Sequence, residues 1–502
     1  MREDTRPEDD DEVGLPQGGV VSRREFLKIA SIVGATVGVG GALSGALSAC
    51  GEGATATTAS TSAPSTVPSS PMTTAGSTTT VSAAAATDRE VKIGFVTPLT
   101  GDLASYGIAD QYCVRRAMEA IGAGLACGDG QTHPVNIIMG DSQSDPLRAA
   151  EVAGELIMNS KVDMVVCAST PETVVPVADQ CETLQVPCLS TECPWEAYLA
   201  ARSYGRVDVV FEWTYNVFSG AEDQVADFTD LWTQVPTNKV VGAMFPNDDD
   251  GNFLMNLWKQ YWAPAGLTVV EESGFEAGTQ DFTPQIQKFK KAGCEIGYGV
   301  LTTADFTNFW RQAVQQGWMP KLPTYPKSLV LPQTLEALGA SANNLCVEVW
   351  WSPAFPYRSP LLDQSCQDFA AAFEAAENHQ WTQSLVHFLL FDWAVDVLKR
   401  AKSVDDKIAI MDAVKTTKVE TIGGPIDFTA PVEPPDETLP PFGGRASFKV
   451  GPCHIVENVY KSPVAIGQWR TGKKYPFELT IVGNKACPEV PVQDKVRPYT
   501  GL

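Results

Sequence analysis

Ser169-Thr170-Pro171 stands between an apolar run and a helical one. Proline suits the first position of a helix and threonine its cap, and the free N–H groups of a helix start attract an anion. Ser169 and Thr170 therefore read either as an ordinary cap or as a seat for a carboxylate. Ser105-Tyr106-Gly107 follows another apolar run. Tyr106 there offers a ring to stack on a ligand, a hydroxyl to bond one, or packing alone. In Ser190-Thr-Glu-Cys-Pro-Trp195, Thr191 and Glu192 are candidate polar anchors and Trp195 a candidate apolar wall. The alternative is a helix start in which Pro194 and Glu196 serve the first turn. Asp248, Asp249 and Asp250 before Gly251 form an acidic turn, with Asp248 kept as a candidate contact. It lacks the spaced aspartates and distal glutamate of a calcium loop and reads more readily as a solvated turn.

Catalytic patterns are missing. There is no G-x-S-x-G, phosphate loop, G-x-G-x-x-G or H-E-x-x-H, and His133, His379, His387 and His454 stand one to a segment. No catalytic residue, metal ligand or cofactor is assigned.

The elements that carry these residues alternate. Apolar runs at 91–96, 135–139, 162–166 and 186–189 read as strands, and 107–121, 146–160 and 171–184 as helices. The pattern repeats with strands at 240–245, 268–271 and 296–301 and helices at 252–263, 282–292 and 304–316. Repeated strand–helix units imply parallel sheets, and ligands bind such sheets beyond the carboxyl ends of the strands. The singled-out residues fall mostly in those loops. The folded part is too long for one comfortable sheet, so an α/β fold with two lobes is expected.

Before the first strand the chain does not read as a fold. Ser22-Arg-Arg-Glu-Phe-Leu-Lys28, a weakly apolar stretch with five glycines and Leu47-Ser-Ala-Cys50 stand in the order of a twin-arginine lipoprotein signal over 1–49. Cys50 is the expected lipidation site. Residues 50–89 are almost all Thr, Ser, Ala, Pro and Gly, the composition of a flexible tether. An exported protein anchored by lipid at the outer face of the cytoplasmic membrane is expected. The 502 residues carry a formal net charge of -23, which argues against a nucleic-acid partner. Twelve cysteines show no C-x-x-C spacing. Cys453–Cys487 and Cys346–Cys366 are candidate pairs by nearness in sequence, and the connectivity stays open.

Val91-Lys-Ile-Gly-Phe-Val-Thr-Pro-Leu-Thr-Gly-Asp-Leu-Ala-Ser-Tyr-Gly107 resembles the first strand and loop of branched-chain-amino-acid-type substrate-binding proteins of ABC importers. Asp141-Ser-Gln-Ser-Asp-Pro146, Phe245-Pro-Asn-Asp-Asp-Asp-Gly251, Asp281-Phe-Thr-Pro-Gln-Ile286 and Gly424-Pro-Ile-Asp-Phe428 resemble further segments of that family. The resemblance runs from about residue 91 to about 470. It implies a type I periplasmic-binding fold, with two lobes of mostly parallel sheet, a three-stranded hinge and no catalysis. It places lobe one at 91–213 and 325–445, lobe two at 214–324 and 446–502, and hinge crossings near 213–216, 323–326 and 445–447. Tyr215 then falls at the first crossing, as a site residue or as hinge packing. An acidic residue of the family stands where Asp305 stands here and pairs with a ligand's ammonium group. The alternative for Asp305 is stabilisation of a helix start. Ser190-Thr-Glu-Cys-Pro-Trp195 and Asp250 before Gly251 depart from the amino-acid-binding pattern, and Val349-Trp-Trp-Ser-Pro353 adds aromatics. The implied function is a monomeric receptor that captures a small solute, an amino acid or related carboxylate, and delivers it to ABC permease subunits. A sensor of the same fold and a secreted enzyme are the alternatives.

Overall fold

Val91, Ile93 and Phe95 alternate with Lys92, Gly94 and Val96, so strand β1 (Val91–Thr97) sends apolar side chains to both faces of a sheet. In this computed structural model residues 85–501 are described, apart from 204, 205, 207, 208, 431, 443, 444 and 452–455. The signal segment, Cys50, the tether up to residue 84, Cys453 and His454 lie outside the described residues. The tether read as 50–89 ends earlier. Ala85–Ala86 pairs in parallel with Gln131 and Thr132, and Arg89 holds Asp163 at 2.7 Å.

After β1 come α1 (Asp110–Ile121), β2 (Val135–Asp141), α2 (Pro146–Met158), β3 (Met164–Cys167) and α3 (Pro171–Leu184). Then follow β4 (Cys188–Thr191), α4 (Trp195–Arg202) and β5 (Thr214–Val217). The second series is α5 (Ala221–Thr233), β6 (Val240–Pro246), α6 (Asp249–Trp262), β7 (Thr268–Phe275) and α7 (Thr283–Ala292). It continues with β8 (Ile296–Gly299), α8 (Thr303–Gln315), β9 (Leu322–Thr324) and β10 (Cys346–Val349). Helices α9 (Cys366–Glu377) and α10 (Leu389–Arg400) return to the first series. Strands β11 (Val459–Tyr460), β12 (Ala465–Thr471) and β13 (Phe477–Gly483) complete the sheets.

One sheet runs β11-β5-β4-β3-β1-β2, parallel throughout. The other runs β7-β6-β8-β9-β10-β12-β13, parallel up to β10 and antiparallel beyond. Strand alternation divides the core. Ile93, Phe95, Met164 and Val166 enter one apolar cluster, and Val96, Val165 and Cys167 the other, which α2 and α3 cover. Each fully buried side chain of this kind contributes about 1.5–3 kcal/mol.

The chain crosses between sheets at 218–220, 350–352 and 461–464, which corrects the expected crossings. Thr214–Val217 belongs to the first sheet, so the first crossing follows it. Thr324 pairs with Cys346, which keeps the chain in the second lobe past 323–326. Val459–Tyr460 pairs with β5, which delays the third crossing beyond 445–447.

The Cys346–Cys366 pair does not form. Both thiols are free, Cys346 in the second sheet and Cys366 at the start of α9, bonded to the Ile422 carbonyl at 3.3 Å. Cys487 is free and bonds the Val464 carbonyl.

Candidate functional site

Two strand ends of the first sheet hold non-glycine residues in left-handed backbone: Ser169 beyond β3 (φ 102°) and Glu192 beyond β4 (φ 64°). Such conformations cost free energy and gather at functional sites. Beyond β1, Gly107 lets the chain close on itself, because a Cβ there would meet the Pro98 carbonyl oxygen at 2.4 Å. This turn places Tyr106. In the other lobe a Cβ on Gly251 would meet the Pro246 carbonyl oxygen at 2.3 Å, so the glycine lets α6 start hard against the end of β6.

These ends meet at a cavity of about 60 Å³ between the lobes. Space for one water takes about 10–15 Å³ on this scale, so the cavity fits a ligand of several heavy atoms. Lobe one contributes Tyr106, Thr170 and Glu192, and lobe two Asp250, Lys327 and Glu348. Phe218 and Trp350, at two of the crossings, form its apolar wall. The Trp350 ring centroid lies 6.0 Å from Tyr106 and 5.7 Å from Phe218.

Lys327 joins the lobes. Its Nζ is 2.9 Å from Asp250 Oδ2 and 3.5 Å from Glu172 Oε1 on α3, and its carbonyl accepts from the Tyr106 hydroxyl at 3.2 Å. Burial pulls the Lys327 ammonium down, but Asp250 and Glu172 more than offset it and hold it well above its ordinary range. Burial pushes Asp250 up to about 6 against the pull of Lys327. Burial also pushes Glu172 up, but Lys327 outweighs it and holds the carboxyl below its ordinary range.

A second chain of charges stands behind Glu192. His387 Nδ1 is 2.6 Å from Asp110 Oδ1, and Nε2 is 2.7 Å from Glu192 Oε2. The second contact has an ion-pair distance but not hydrogen-bond geometry. Asp110 also accepts from Thr97 Oγ1. Burial draws the imidazolium down, and Asp110 and Glu192 overcome this to raise it to about 10. Glu348 has no such partner. Burial, then repulsion from Glu192 and Asp250, pushes it up to about 8.

Several polar atoms at this junction make no hydrogen bond: Ser169 Oγ, Thr170 Oγ1, both Glu192 carboxylate oxygens, Glu348 Oε2 and the Trp350 indole N–H. Buried polar atoms ordinarily make hydrogen bonds, so a cavity bordered by ones that make none suits a polar guest. Thr170 caps α3 without a side-chain cap bond, with Pro171 in the first turn.

Of the residues singled out in the sequence, the structure brings Tyr106, Thr170 and Glu192 to the cavity, with Ser169 buried beside Thr170. The others have different surroundings. Ser105 lies outside the lining, and its carbonyl accepts from Ser384 Oγ at 3.3 Å. Thr191 Oγ1 donates to the Val217 carbonyl at 2.7 Å on the neighbouring strand. Trp195 is fully buried and donates to Glu222 at 3.0 Å, so the wall is made by Trp350 and Phe218 instead. Tyr215 packs edge-on against Phe428 at 4.8 Å and borders a separate surface hollow. The acidic turn leads into α6 with Asp248 and Asp249 exposed to solvent and Asp250 buried, and Asp248 caps the helix by accepting from Gly251 N at 2.7 Å. Asp305 accepts from Gly278 N at 2.9 Å and from Thr302 Oγ1 at 3.1 Å, away from the cavity.

Sequence reasoning passed over Glu172, Phe218, Lys327, Glu348 and the place of Asp250 in the cavity lining. Glu348 did leave a signal: a lone glutamate in the apolar run Cys346-Val-Glu-Val-Trp350 has nowhere to go but inward. Among the described residues no cluster of His, Cys, Asp and Glu could hold a metal ion, and no helix is long and apolar enough to cross a membrane.

The periplasmic binding protein family model matches residues 90–439. The chain is 25% identical over 222 residues to Leu/Ile/Val-binding protein homolog 3 of Brucella melitensis, covering 44% of this chain and 56% of that one. It is 24% identical over 171 residues to glutamate receptor 1.1 of Arabidopsis thaliana, covering 34% of this chain and 20% of that one. These matches thus span about half or less of the curated relatives' length. Among solved structures, the branched-chain amino acid transporter substrate binding protein LivJ of Streptococcus pneumoniae, in complex with isoleucine, superposes with a TM-score of 0.61. That match is 17% identical and covers 79% of this chain and all of the other, which establishes a type I periplasmic-binding fold of two lobes. With most of its folded length matched and its polar cavity between the lobes, the chain belongs to the periplasmic binding protein family, whose members bind rather than catalyse.

Proposed function

We propose that this chain is the solute receptor of an ABC importer. It captures an amino acid or a related small carboxylate between its lobes and delivers it to the permease as a monomer. The observation that carries this reading is the interlobe cavity with its unpartnered polar atoms. Ser169, Thr170 and the start of α3 are suited to a carboxylate, while Lys327 spans the lobes where closure brings them together. Three crossings of the chain supply a hinge. Strand register brings Tyr106 and Glu192 to it from one lobe and Glu348 from the other, so neither lobe alone completes the site.

A thermal-shift screen of amino acids, amides and aromatic acids finds a ligand by mass action. Small-angle scattering with that ligand should then show a smaller radius of gyration, and an unchanged radius at saturation removes capture by closure. Lipid anchorage through Cys50 is part of the proposal, motivated by the signal and tether composition. Cys50→Ala is expected to release the protein from the membrane fraction or to block maturation. A mature Cys50→Ala protein that still sediments with membranes overturns the anchor.

A further inference from the structure

The charges around the cavity do not balance. Lys327 is shared by Asp250 and Glu172, and His387 by Asp110 and Glu192, so each cation already serves two carboxylates. Glu348 adds a fifth acid with an unpartnered oxygen, on a side chain buried to within 5%. Glu192 is as deeply buried and its carboxylate makes no hydrogen bond. Carboxylates and aromatic rings together are the surroundings that hold an ammonium or guanidinium group, and Tyr106 and Trp350 supply the rings.

The approach carries the same sign. A chamber of about 400 Å³ adjoins the cavity, sharing Pro171 and Asp250 with it, and is bordered by Glu172, Asp179, Asp248 and Asp249. Arg445 also lines it, bonded to the Ala201 carbonyl. With five carboxylates to one guanidinium the chamber is predominantly acidic, and a cleft in which one sign predominates concentrates ligands of the other. An anionic solute would instead meet Glu192 and the acidic chamber while Lys327 and His387 are each already engaged by two carboxylates.

We propose that the solute carries net positive charge, as an amine- or guanidine-bearing molecule whose cationic nitrogen is held by Glu192 and Glu348 beside Tyr106 and Trp350. This rests on the receptor reading above and names its substrate class. Glu348, pushed up to about 8 among Glu192, Asp250 and Lys327, holds a proton at neutral pH and gives it up to solvent when a cation arrives.

The test is calorimetry and thermal shift on the mature chain with putrescine, agmatine and L-arginine against L-leucine, L-glutamate and benzoate. At least one cationic probe is expected to bind, more weakly as salt rises and with proton release between buffers of different ionisation enthalpy. Glu192→Gln should weaken that binding by roughly tenfold or more. Should Glu192→Gln fold poorly, Glu348→Gln should weaken binding while keeping at least wild-type stability. Binding of leucine, glutamate or benzoate without any cation overturns the charge assignment and leaves the receptor reading standing. Silence of all six probes counts against both. A cation that binds equally well to both variants overturns the assignment to Glu192 and Glu348.

Discussion

Lys461 and Lys327 both draw buried or part-buried carboxylates together, one at the hinge and one at the cavity. Lys461, at the third crossing, lies 2.8 Å from Glu222 and 2.6 Å from Asp223 at the start of α5. The remaining valences there are mostly filled: Gly220 N donates to Asp223 at 3.0 Å, Trp195 Nε1 to Glu222, and Ala221 N to Glu196 at 2.7 Å. Burial and then Glu222 hold the Glu196 carboxyl well above its ordinary range, and its Oε2 is left without a hydrogen bond. Around Lys327 the acids outnumber the cations, and oxygens of Glu192 and Glu348 make no hydrogen bond. Acid and lysine content alone does not separate a hinge pin from a binding site. The separating feature is whether the chain itself supplies the donors.

The strongest challenge to that contrast is His387→Gln. His387 is fully buried between Asp110 and Glu192, and losing it leaves two carboxylates without their cation. Breaking a buried pair costs about 3–5 kcal/mol, so urea denaturation should show a loss of that size. Affinity should fall as well, since Glu192 loses its support. Full stability together with full affinity would show that this cluster does not hold the site.

Lys461→Met should cost somewhat less, about 2–4 kcal/mol, because a third of the Lys461 side chain is in water. Its ligand affinity is expected to stay within about twofold. A large affinity loss at intact stability would make the hinge cluster part of the site and dissolve the comparison.

Titration sharpens it further. Glu348 rises from its ordinary 4.5 to about 8, so between those values the folded chain holds a proton that the unfolded chain has lost. Stability therefore falls as pH rises through that window. Asp250, raised from 3.8 to about 6, and His387, raised from 6.5 to about 10, act in the same direction. The apo melting temperature should decline from about pH 5 to pH 10. Glu348→Gln should recover about 1–3 kcal/mol near pH 9 by removing one of these terms. An unchanged pH profile in that variant removes Glu348 from the account.

The alternation of strands and helices was legible because each apolar run ends in a turn or cap that local chemistry writes plainly, as at Asp145-Pro146 and Thr170-Pro171. Tyr106, Thr170 and Glu192 were legible for the same reason, since they stand at strand ends. The hinge was not. Whether β9 is followed by a neighbour in its own sheet is decided by pairing between Thr324 and Cys346, which no local signal announces. The second half of the site depends on the docking of lobes, so Lys327 and Glu348 gained meaning only beside Glu172 and Glu192. Trp195 shows the converse: its type suits a ligand wall, but Glu222 supplies a partner for its N–H deep in the core.

Asp305 gives the smallest and cleanest test of the same rule. Family likeness makes it a reader of a ligand's ammonium group, whereas its oxygens are taken by Gly278 N and Thr302 Oγ1. Thr302 in turn accepts from Asp305 N at 3.3 Å, so the pair fixes the start of α8 reciprocally. A carboxylate satisfied by its own chain should behave as Glu222 does and not as Glu192 does. Asp305→Asn keeps the shape and still accepts one bond through its amide oxygen, but loses the charge that favours a helix start. The expected result is a stability loss of about 0.5–1 kcal/mol and an unchanged Kd for whichever probe binds. A tenfold weaker Kd with stability intact would place Asp305 on the ligand, and donor supply within the chain would no longer distinguish site from scaffold.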